Sequence, residues 1–383
     1  MSSSTSAYCQ ARTRLEQDYL DQIDREVVRK GLSQIEPNSK FLWCGRHVKV
    51  VDGSSLSMPD TEENQALYPQ PKVQKKGCGF PVMRITASFS LVTGHMLEHR
   101  KADLHVHERT LWHQMWGAYE ENDVALGDRG FCSFCELWAL SKRKVDCVMR
   151  LFQRAPEKAK IIKKINKNDC LVEWAKPKKC PKWLTKEQWL DVPKTMTVRQ
   201  VKVTVDIPGF RTQNIVVATT LLDNKKYPSA ALSDLYRRRW LVELFFKDMK
   251  TTMRMDVLRC KTPELIHKEL TIFIIAYNLI RSLIFQAALN RGIDPYSISM
   301  AGTIAIIRQW TPILATHNDI GIKKKIILAI LDLVAKETLP HRKEPRSHPR
   351  AIKRRSNCKY QLLTKPRHEF KEIQHRSQYR KNA

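Results

Sequence analysis

The order of strand-like and helix-like segments in the first half of the chain constrains its fold more than any other feature. Three strand-like segments follow one another with only loops between them, and two more each follow a segment of helical periodicity. The five strand-like segments are 41–52, 82–92, 95–101, 123–127 and 145–151. Consecutive strands followed by alternating helices and strands predict an α/β fold, a mixed sheet with flanking helices.

The rest of the chain divides by composition. Residues 153–225 are rich first in lysine and then in strand-like segments, which predicts a β-rich insertion. The order of strands before the insertion matches a ribonuclease-H-like core, and helical segments after it would complete that core. The predicted divisions are 1–40 (helical), 41–152 (first part of the core), 153–225 (insertion), 226–335 (helical completion) and 336–383 (basic, extended tail).

The chain is strongly basic. Its 383 residues include 67 Lys and Arg against 39 acidic residues, and the segment 339–383 alone has 14 Lys and Arg against three Glu. Such a surface attracts polyanions, and nucleic acid is the first candidate. No membrane partner is expected, because the most apolar run, 270–285, is short and contains Asn278 and Arg281. This run is predicted to be a buried core helix.

The cysteines indicate a reducing environment rather than a metal site. The chain has ten cysteines, and its first residues lack the apolar core of a signal peptide, so we expect a cytoplasmic location. Cys132 and Cys135 form one Cys-x-x-Cys pair, and no second pair follows at zinc spacing. We therefore interpret them as packing thiols, and His105 and His107 as a surface pair.

Two acidic residues are predicted to stand where strands end. Asp52 is followed by a glycine, and Asp128 follows the strand 123–127 directly. Metal-dependent phosphodiester chemistry needs two or three carboxylates around a pair of divalent ions. A carboxylate in a turn is usually only solvated, so these two acids become informative only in combination with a third.

The third acid lies in the segment 233–250, which contains no Gly or Pro and is predicted to form one helix. At roughly 100° per residue, four side chains fall within an arc about 60° wide. They are Tyr236, Arg239, Glu243 and Lys250. One helix face thus carries a carboxylate for a metal, two cations for phosphates and a phenol.

Three parts of the sequence together resemble a known family. The segments 51–61 and 127–131 and the Tyr-x2-Arg-x3-Glu-x6-Lys pattern at 236–250 are similar to bacterial insertion-sequence transposases of the DDE superfamily. The similarity is to the type with a YREK signature and a β insertion. It implies cut-and-paste transposition: cleavage at the ends of the insertion sequence and transfer of the 3′-hydroxyl strand into target DNA.

The resemblance also implies residue roles and partners. Asp52, Asp128 and Glu243 would be the catalytic metal ligands, holding two Mg²⁺ ions for which Mn²⁺ can substitute. Tyr236, Arg239 and Lys250 would bind phosphates near the transposon end. The implied partners are double-stranded DNA, at the element ends and at the target, and a second copy of the chain in a homodimer on DNA. Such a protein would be associated with the bacterial nucleoid.

The sequence leaves the roles of several residues open. Arg237 and Arg129 are candidate phosphate contacts, although a solvated helix face or a pair with a nearby carboxylate would explain them equally well. In the family, a tryptophan of the insertion stacks on a flipped base, and the sequence does not choose among Trp174, Trp183 and Trp189 or exclude simple packing for all three. A hairpin intermediate is likewise neither required nor excluded.

Two alternatives compete with an active transposase. Family members commonly have a helical end-recognition domain before the segment 6–12, with which this chain almost begins, so residues 1–40 are interpreted as a remnant of it and the chain as N-terminally truncated. A truncated chain could be an inactive DNA-binding remnant. The acids alone would also be compatible with a ribonuclease-H-like nuclease that hydrolyses DNA without joining strands.

Overall fold

A single mixed sheet organises the molecule. The computed structural model describes residues 5–35, 40–151, 159–205, 213–339 and 363–369. The strands, β1 to β9, are Val48–Ser57, Val82–Ser90, Met96–Asp103, Val124–Gly127, Asp146–Arg150, Lys160–Asn166, Asp169–Ala175, Thr195–Val205 and Gln213–Thr219. Their order across the sheet is β3-β2-β1-β4-β5-β9-β8-β7-β6.

The first five strands have the predicted ribonuclease-H-like arrangement. Strands β1, β2 and β3 form an antiparallel meander, whereas β4 pairs in parallel with β1 and β5 in parallel with β4. A parallel pair needs a crossover connection, and short helices supply it between β3 and β4 and between β4 and β5. The predicted α/β class and the order of its strands are therefore confirmed.

The β-rich segment predicted as an insertion continues this sheet. Strand β9 pairs antiparallel with β5, and β8, β7 and β6 follow as an antiparallel series. Strand β9 thereby covers the edge of β5 that would otherwise present unpaired backbone groups. The insertion is thus an extension of the core sheet, while the exact domain boundaries remain predictions.

Helices cover both faces of the sheet. The helices, α1 to α11, are Thr5–Arg14, Gln17–Leu32, Glu62–Leu67, Glu108–His113, Phe134–Lys142, Lys186–Asp191, Ser229–Arg238, Leu241–Lys247, Pro263–Arg291, Met300–Thr316 and Ile320–Lys336. Neighbouring residues of the central strands point into different cores: Val50 into a larger core with α7 to α11, and Val51 into a smaller core with α4 and α5. Both faces of the central strands are therefore buried.

Helix α9 occupies the centre of the larger core. Among the described residues it is the one helix long and apolar enough to cross a membrane, yet 44% of its most apolar window is buried inside the protein. Ile274 and Tyr277 are fully buried there, and the Tyr277 hydroxyl donates to the Gly94 carbonyl at 2.7 Å. These contacts are those of the core helix predicted from the sequence.

Two sequence predictions about the acidic residues are wrong in detail. Strand β1 does not end at Asp52 but continues through Gly53 to Ser57, because β2 pairs with it along its whole length. The single helix predicted for 233–250 is interrupted: α7 ends at Arg238, α8 spans Leu241–Lys247, and a π-helical turn follows at Asp248–Thr252. The predicted basic tail lies almost entirely outside the described residues.

A buried ion pair joins the insertion to the core. Arg199 of β8 is fully buried and donates through Nε and Nη2 to the carboxylate of Asp169 on β7, at 2.9 and 2.5 Å. Its Nη1 also donates to the carbonyl of Tyr227, just before α7, at 2.7 Å. Because the guanidinium has lost its water, these acceptors replace its hydration.

We predict that Asp169→Asn destabilises the protein by about 3–5 kcal/mol, because it leaves the Arg199 charge buried without a counter-ion. The measurement is urea unfolding at neutral pH. The control is Asp191→Asn, which removes the partner of exposed Lys142 and should change stability by less than about 1 kcal/mol. Equal effects of the two substitutions would show that the buried pair has no special role.

Candidate active site

Asp52 lies in the middle of the sheet, on the face that packs against α7 and α8. Its Oδ1 accepts a hydrogen bond from the Gly53 amide at 2.8 Å, and its Oδ2 is 3.5 Å from Nη1 of Arg239. Burial, with smaller effects of the negative charges of Asp128 and Glu108, raises the pKa of this carboxyl from 3.8 to about 6, although the Gly53 amide and Arg239 act in the opposite direction. Asp52 is therefore a desolvated carboxylate in an acidic neighbourhood.

Asp128 follows β4, directly beside Asp52 in the sheet. In the parallel pairing of β1 and β4, Val50 lies opposite Leu126, and each aspartate comes two residues later. The Asp128 Oδ1 accepts from the Gly130 amide at 2.7 Å, which holds the carboxylate at the start of a 3-10 turn. The predicted position of Asp128 at a strand end is confirmed.

Glu243 completes the group from the helical layer. Its Oε1 is 3.3 Å from Nη2 of Arg239, while Nη1 of the same guanidinium faces Asp52. The Arg239 guanidinium therefore lies between the carboxylate of Asp52, on the sheet, and that of Glu243, in the helical layer. The Glu243 side chain is 41% exposed, so this corner of the site is open to solvent.

The backbone around Glu243 departs from an α-helix on both sides. The amides of Arg239, Trp240, Val242 and Glu243 donate to carbonyls three residues earlier, as in a 3-10 helix. The turn Asp248–Thr252 instead has the wider π spacing. The rotation of 100° per residue assumed for a single helix therefore does not hold across this segment. The 3-10 turn increases the rotation per residue and the π turn decreases it, so the two deviations act in opposite directions.

Tyr236 and Lys250 nevertheless flank the acids as the sequence pattern suggested. The Arg239 guanidinium lies 6.0 Å from the centre of the Tyr236 ring, and burial raises the pKa of that phenol to about 12. Lys250 donates through Nζ to Ser54 Oγ at 3.1 Å and to the Ser55 carbonyl at 2.8 Å, just beyond Asp52 on β1. Burial lowers the pKa of Lys250.

The two remaining basic candidates are less closely involved. Arg237 is exposed and pairs with Asp234 of its own helix, so its charge is neutralised away from the acids. Arg129 is exposed beside Asp128. Neither position contradicts a DNA contact, and both remain predictions.

The three candidate tryptophans all pack against the smaller core. Trp174 is 6% exposed, Trp183 packs against the rings of His113 and Trp116, and Trp189 lies under the ammonium group of Lys176, 4.0 Å from its ring centre. The structure therefore gives each of them a packing role. A base-stacking role for any one remains a prediction.

The donor set suits a divalent cation with oxygen ligands, although the acids are not arranged around one. Within the described ranges, no group of three or more His, Cys, Asp or Glu is positioned to hold a metal ion. The acids nevertheless contribute carboxylate oxygens, the ligands that Mg²⁺ prefers, and two of them already share the positive charge of Arg239. The oxygen ligands of the site thus suit a divalent cation, but the guanidinium of Arg239 occupies the position between Asp52 and Glu243.

Sequence patterns missed two features of this site. Glu108 begins α4 and packs against Gly53, and no spacing in the sequence marks it. Ser54 and Ser55 accept hydrogen bonds from Lys250, although both residues lie beyond the predicted end of the strand at 52. Both depend on β1 continuing past Asp52.

Comparison with known proteins agrees with this geometry. Residues 43–279 match the family described as Transposase DDE domain, which covers most of the sheet and the helices that carry the acids. The chain belongs to this family. It is therefore a DNA transposase, an enzyme that cleaves DNA and transfers strands, and members of this family use divalent metal ions.

Individual relatives are bacterial. The transposase InsG for insertion sequence element IS4 of Escherichia coli (strain K12) is 27% identical over 319 residues, which are 82% of this chain and 69% of InsG. The putative transposase InsL for insertion sequence element IS186A of the same organism is 42% identical over 50 residues, 13% of this chain. The predicted resemblance to bacterial insertion-sequence transposases is confirmed, and the YREK subtype remains a prediction.

A solved structure with some similarity is the cryo-EM structure of the piggyBac transposase synaptic complex with hairpin DNA. It matches 79% of this chain and 60% of its own chain, with a TM-score of 0.38 and 9% sequence identity.

The raised pKa of Asp52 predicts a pH-dependent stability. Since its folded-state pKa of about 6 exceeds the unfolded value of 3.8, the folded state binds the proton more tightly, and stability falls as pH rises from about 4 through about 6. We expect Asp52→Asn to stabilise the metal-free protein by about 1–3 kcal/mol at pH 8, with the difference disappearing near pH 4. Denaturant unfolding in EDTA at several pH values measures this, and a variant less stable than the parent at pH 8 would contradict it.

Proposed function

We propose that Asp52, Asp128 and Glu243 are the metal ligands and catalytic acids of this transposase. The observation that supports this most directly is the shared cation: Arg239 contacts Asp52 at 3.5 Å and Glu243 at 3.3 Å, beside Asp128. Carboxylates from β1 and α8 thus share one positive charge, and the charge of Asp128, at the end of β4, acts on Asp52. Metal-dependent phosphodiester chemistry needs two or three converging carboxylates, which these three residues would supply.

The metal would be Mg²⁺, as two ions, with Mn²⁺ able to substitute. Bound between the carboxylates, these ions would activate the attacking oxygen and stabilise the leaving oxygen of an in-line displacement. The protein's own contribution is to hold the three carboxylates on a rigid sheet and an adjoining helix. The Asp52 side chain is only 21% exposed, and this partial burial strengthens its interaction with a cation.

The reaction would be cut-and-paste transposition. Hydrolysis at the element end breaks a phosphodiester bond and leaves a 3′-hydroxyl, and that hydroxyl then attacks a target phosphate, forming the new bond as the target's 3′-oxygen leaves. Two element ends must be held together for the joining step, so we infer a homodimer on double-stranded DNA. The corresponding location is the nucleoid.

Tyr236, Arg239 and Lys250 would bind the phosphates of the element end, in the manner of the YREK type. Arg239 contacts Asp52, and Lys250 contacts Ser54 and Ser55 further along β1, so their charges border the position where a DNA backbone would meet the acids. Phosphate contacts of this kind position DNA without reading its sequence. Arg129 and Arg237 would add contacts further out.

The acids can be tested in a joining assay with a labelled precut element end and a supercoiled plasmid. Asp52→Asn, Asp128→Asn and Glu243→Gln should each reduce joined product by about 10³-fold or more, because each loses a metal ligand worth several kcal/mol. Asp191→Asn, an exposed acid on α6, is the control and should join normally.

The same assay separates the rival functions. Cleavage of the labelled DNA without joined product would favour a nuclease. Binding to DNA without either reaction would favour an inactive remnant. Joined product from an acid variant at the parental level would refute the assignment of that acid.

The position of Arg239 yields a second prediction. Because its guanidinium lies between Asp52 and Glu243, it must leave that position for a divalent cation to enter, and a DNA phosphate would offer it another partner. Arg239→Gln should therefore bind Mn²⁺ about tenfold more tightly than the parent in the absence of DNA, as measured by titration calorimetry. Adding end DNA should tighten Mn²⁺ binding to the parent more than to the variant.

The control is Arg238→Gln, at the last residue of α7, whose charge acts on Tyr296. It removes the same charge and should leave Mn²⁺ affinity near that of the parent. Equal Mn²⁺ affinities for the parent and for Arg239→Gln would show that the guanidinium does not compete with the metal.

A further inference from the structure

A fourth carboxylate approaches the site from the other side of β1. Glu108 is the first residue of α4, the helix that follows β3, and its carboxylate packs directly against Gly53. A Cβ atom on Gly53 would overlap this carboxylate, so the two groups are in direct contact. Gly53 lies inside a regular strand, where glycine has a conformational cost and often marks a close approach by another group.

Glu108 and Arg239 lie on opposite faces of the same strand. Side chains alternate along β1: Val50 points into the larger core and Val51 into the smaller. Asp52 continues the face of Val50 and meets Arg239, whereas Gly53 continues the face of Val51 and meets Glu108. The backbone at 52–53 is therefore flanked by acidic groups on both sides.

The surroundings of Glu108 leave its charge available. Its side chain is 36% exposed, and the one ion pair described for it, with Nε of Arg84, is long at 3.7 Å. Its charge reaches Asp52, as the effect on that carboxyl's pKa shows.

A buried polar group beside Gly53 also lacks a protein partner. Thr86 pairs directly with Gly53 across β1 and β2, so its side chain lies on the same face of the sheet as Glu108. Its Oγ1 is fully buried, and no hydrogen-bond partner for it is found among the residues the structure describes. A buried hydroxyl normally has a partner, which here would be a water or another oxygen-bearing group.

We propose that Glu108 is a fourth acidic group of the divalent-metal site, which acts from the Gly53 side of β1 by accepting hydrogen bonds from water bound to the ion. This rests on the proposed role of Asp52, Asp128 and Glu243. Magnesium usually retains several waters, so a carboxylate near the site contributes by accepting hydrogen bonds from them as well as by its charge. Glu108 thereby strengthens cation binding without replacing any of the three primary acids.

The test is Mn²⁺ binding to the whole chain without DNA, by titration calorimetry. Glu108→Gln keeps the size of the side chain and its packing against Gly53 but removes the charge, and it should weaken Mn²⁺ binding by about tenfold. The matched control is Glu62→Gln. Glu62 is likewise the first residue of a six-residue helix, and its side chain is exposed.

An Arg84→Gln variant separates this role from a structural one. If Glu108 matters only as the partner of Arg84, both variants should weaken Mn²⁺ binding alike and lower the melting temperature alike. On our proposal, Arg84→Gln frees Glu108 from a competing cation and should leave Mn²⁺ affinity unchanged or tighter.

The outcomes separate this inference from the proposed function. Should Asp52→Asn and Glu243→Gln leave Mn²⁺ binding intact, the primary site is wrong. Should they abolish binding while Glu108→Gln matches Glu62→Gln, the primary site stands and the role of Glu108 is refuted.

Discussion

The parallel pairing of β1 with β4 is the constraint on which the site depends. It joins the antiparallel meander to the parallel half of the sheet, and its register places Asp52 and Asp128 side by side. Both strands are buried on both faces, so neither can shift by one residue without moving apolar side chains out of a core. The separation of the two acids is thereby set by the packing of the entire sheet.

Holding several acids close together works against folding. Burial and neighbouring negative charges oppose ionisation of Asp52, and Arg239 offsets part of that cost by contacting both Asp52 and Glu243. An enzyme commonly gives up stability at the place where it binds a charged ligand. Arg239 can pair with these carboxylates or with a phosphate. DNA binding would therefore change whether Asp52 and Glu243 are paired with Arg239.

The helical segment that carries Arg239, Glu243 and Lys250 has an irregular backbone. Hydrogen bonds of 3-10 type precede Glu243, and a π turn carries Lys250 to Ser54 and Ser55. Such π turns are frequent at functional sites. In the insertion, Arg199 pairs with Asp169 and also donates to the Tyr227 carbonyl, which fastens the insertion to the chain just before α7.

The amino-acid sequence alone was enough for the α/β class and the order of the first five strands, because hydrophobic periodicity is a local property. It also singled out Asp52, Asp128 and Glu243 as candidates, and their catalytic role stays a proposal. It could not place the end of β1, since Gly53 reads as a turn until its pairing with β2 is known. Nor could it reveal that Arg239 lies between two acids, that the insertion extends the main sheet, or that Glu108 reaches Gly53. Each of these depends on contacts between residues far apart in the chain, which only the packed structure brings together.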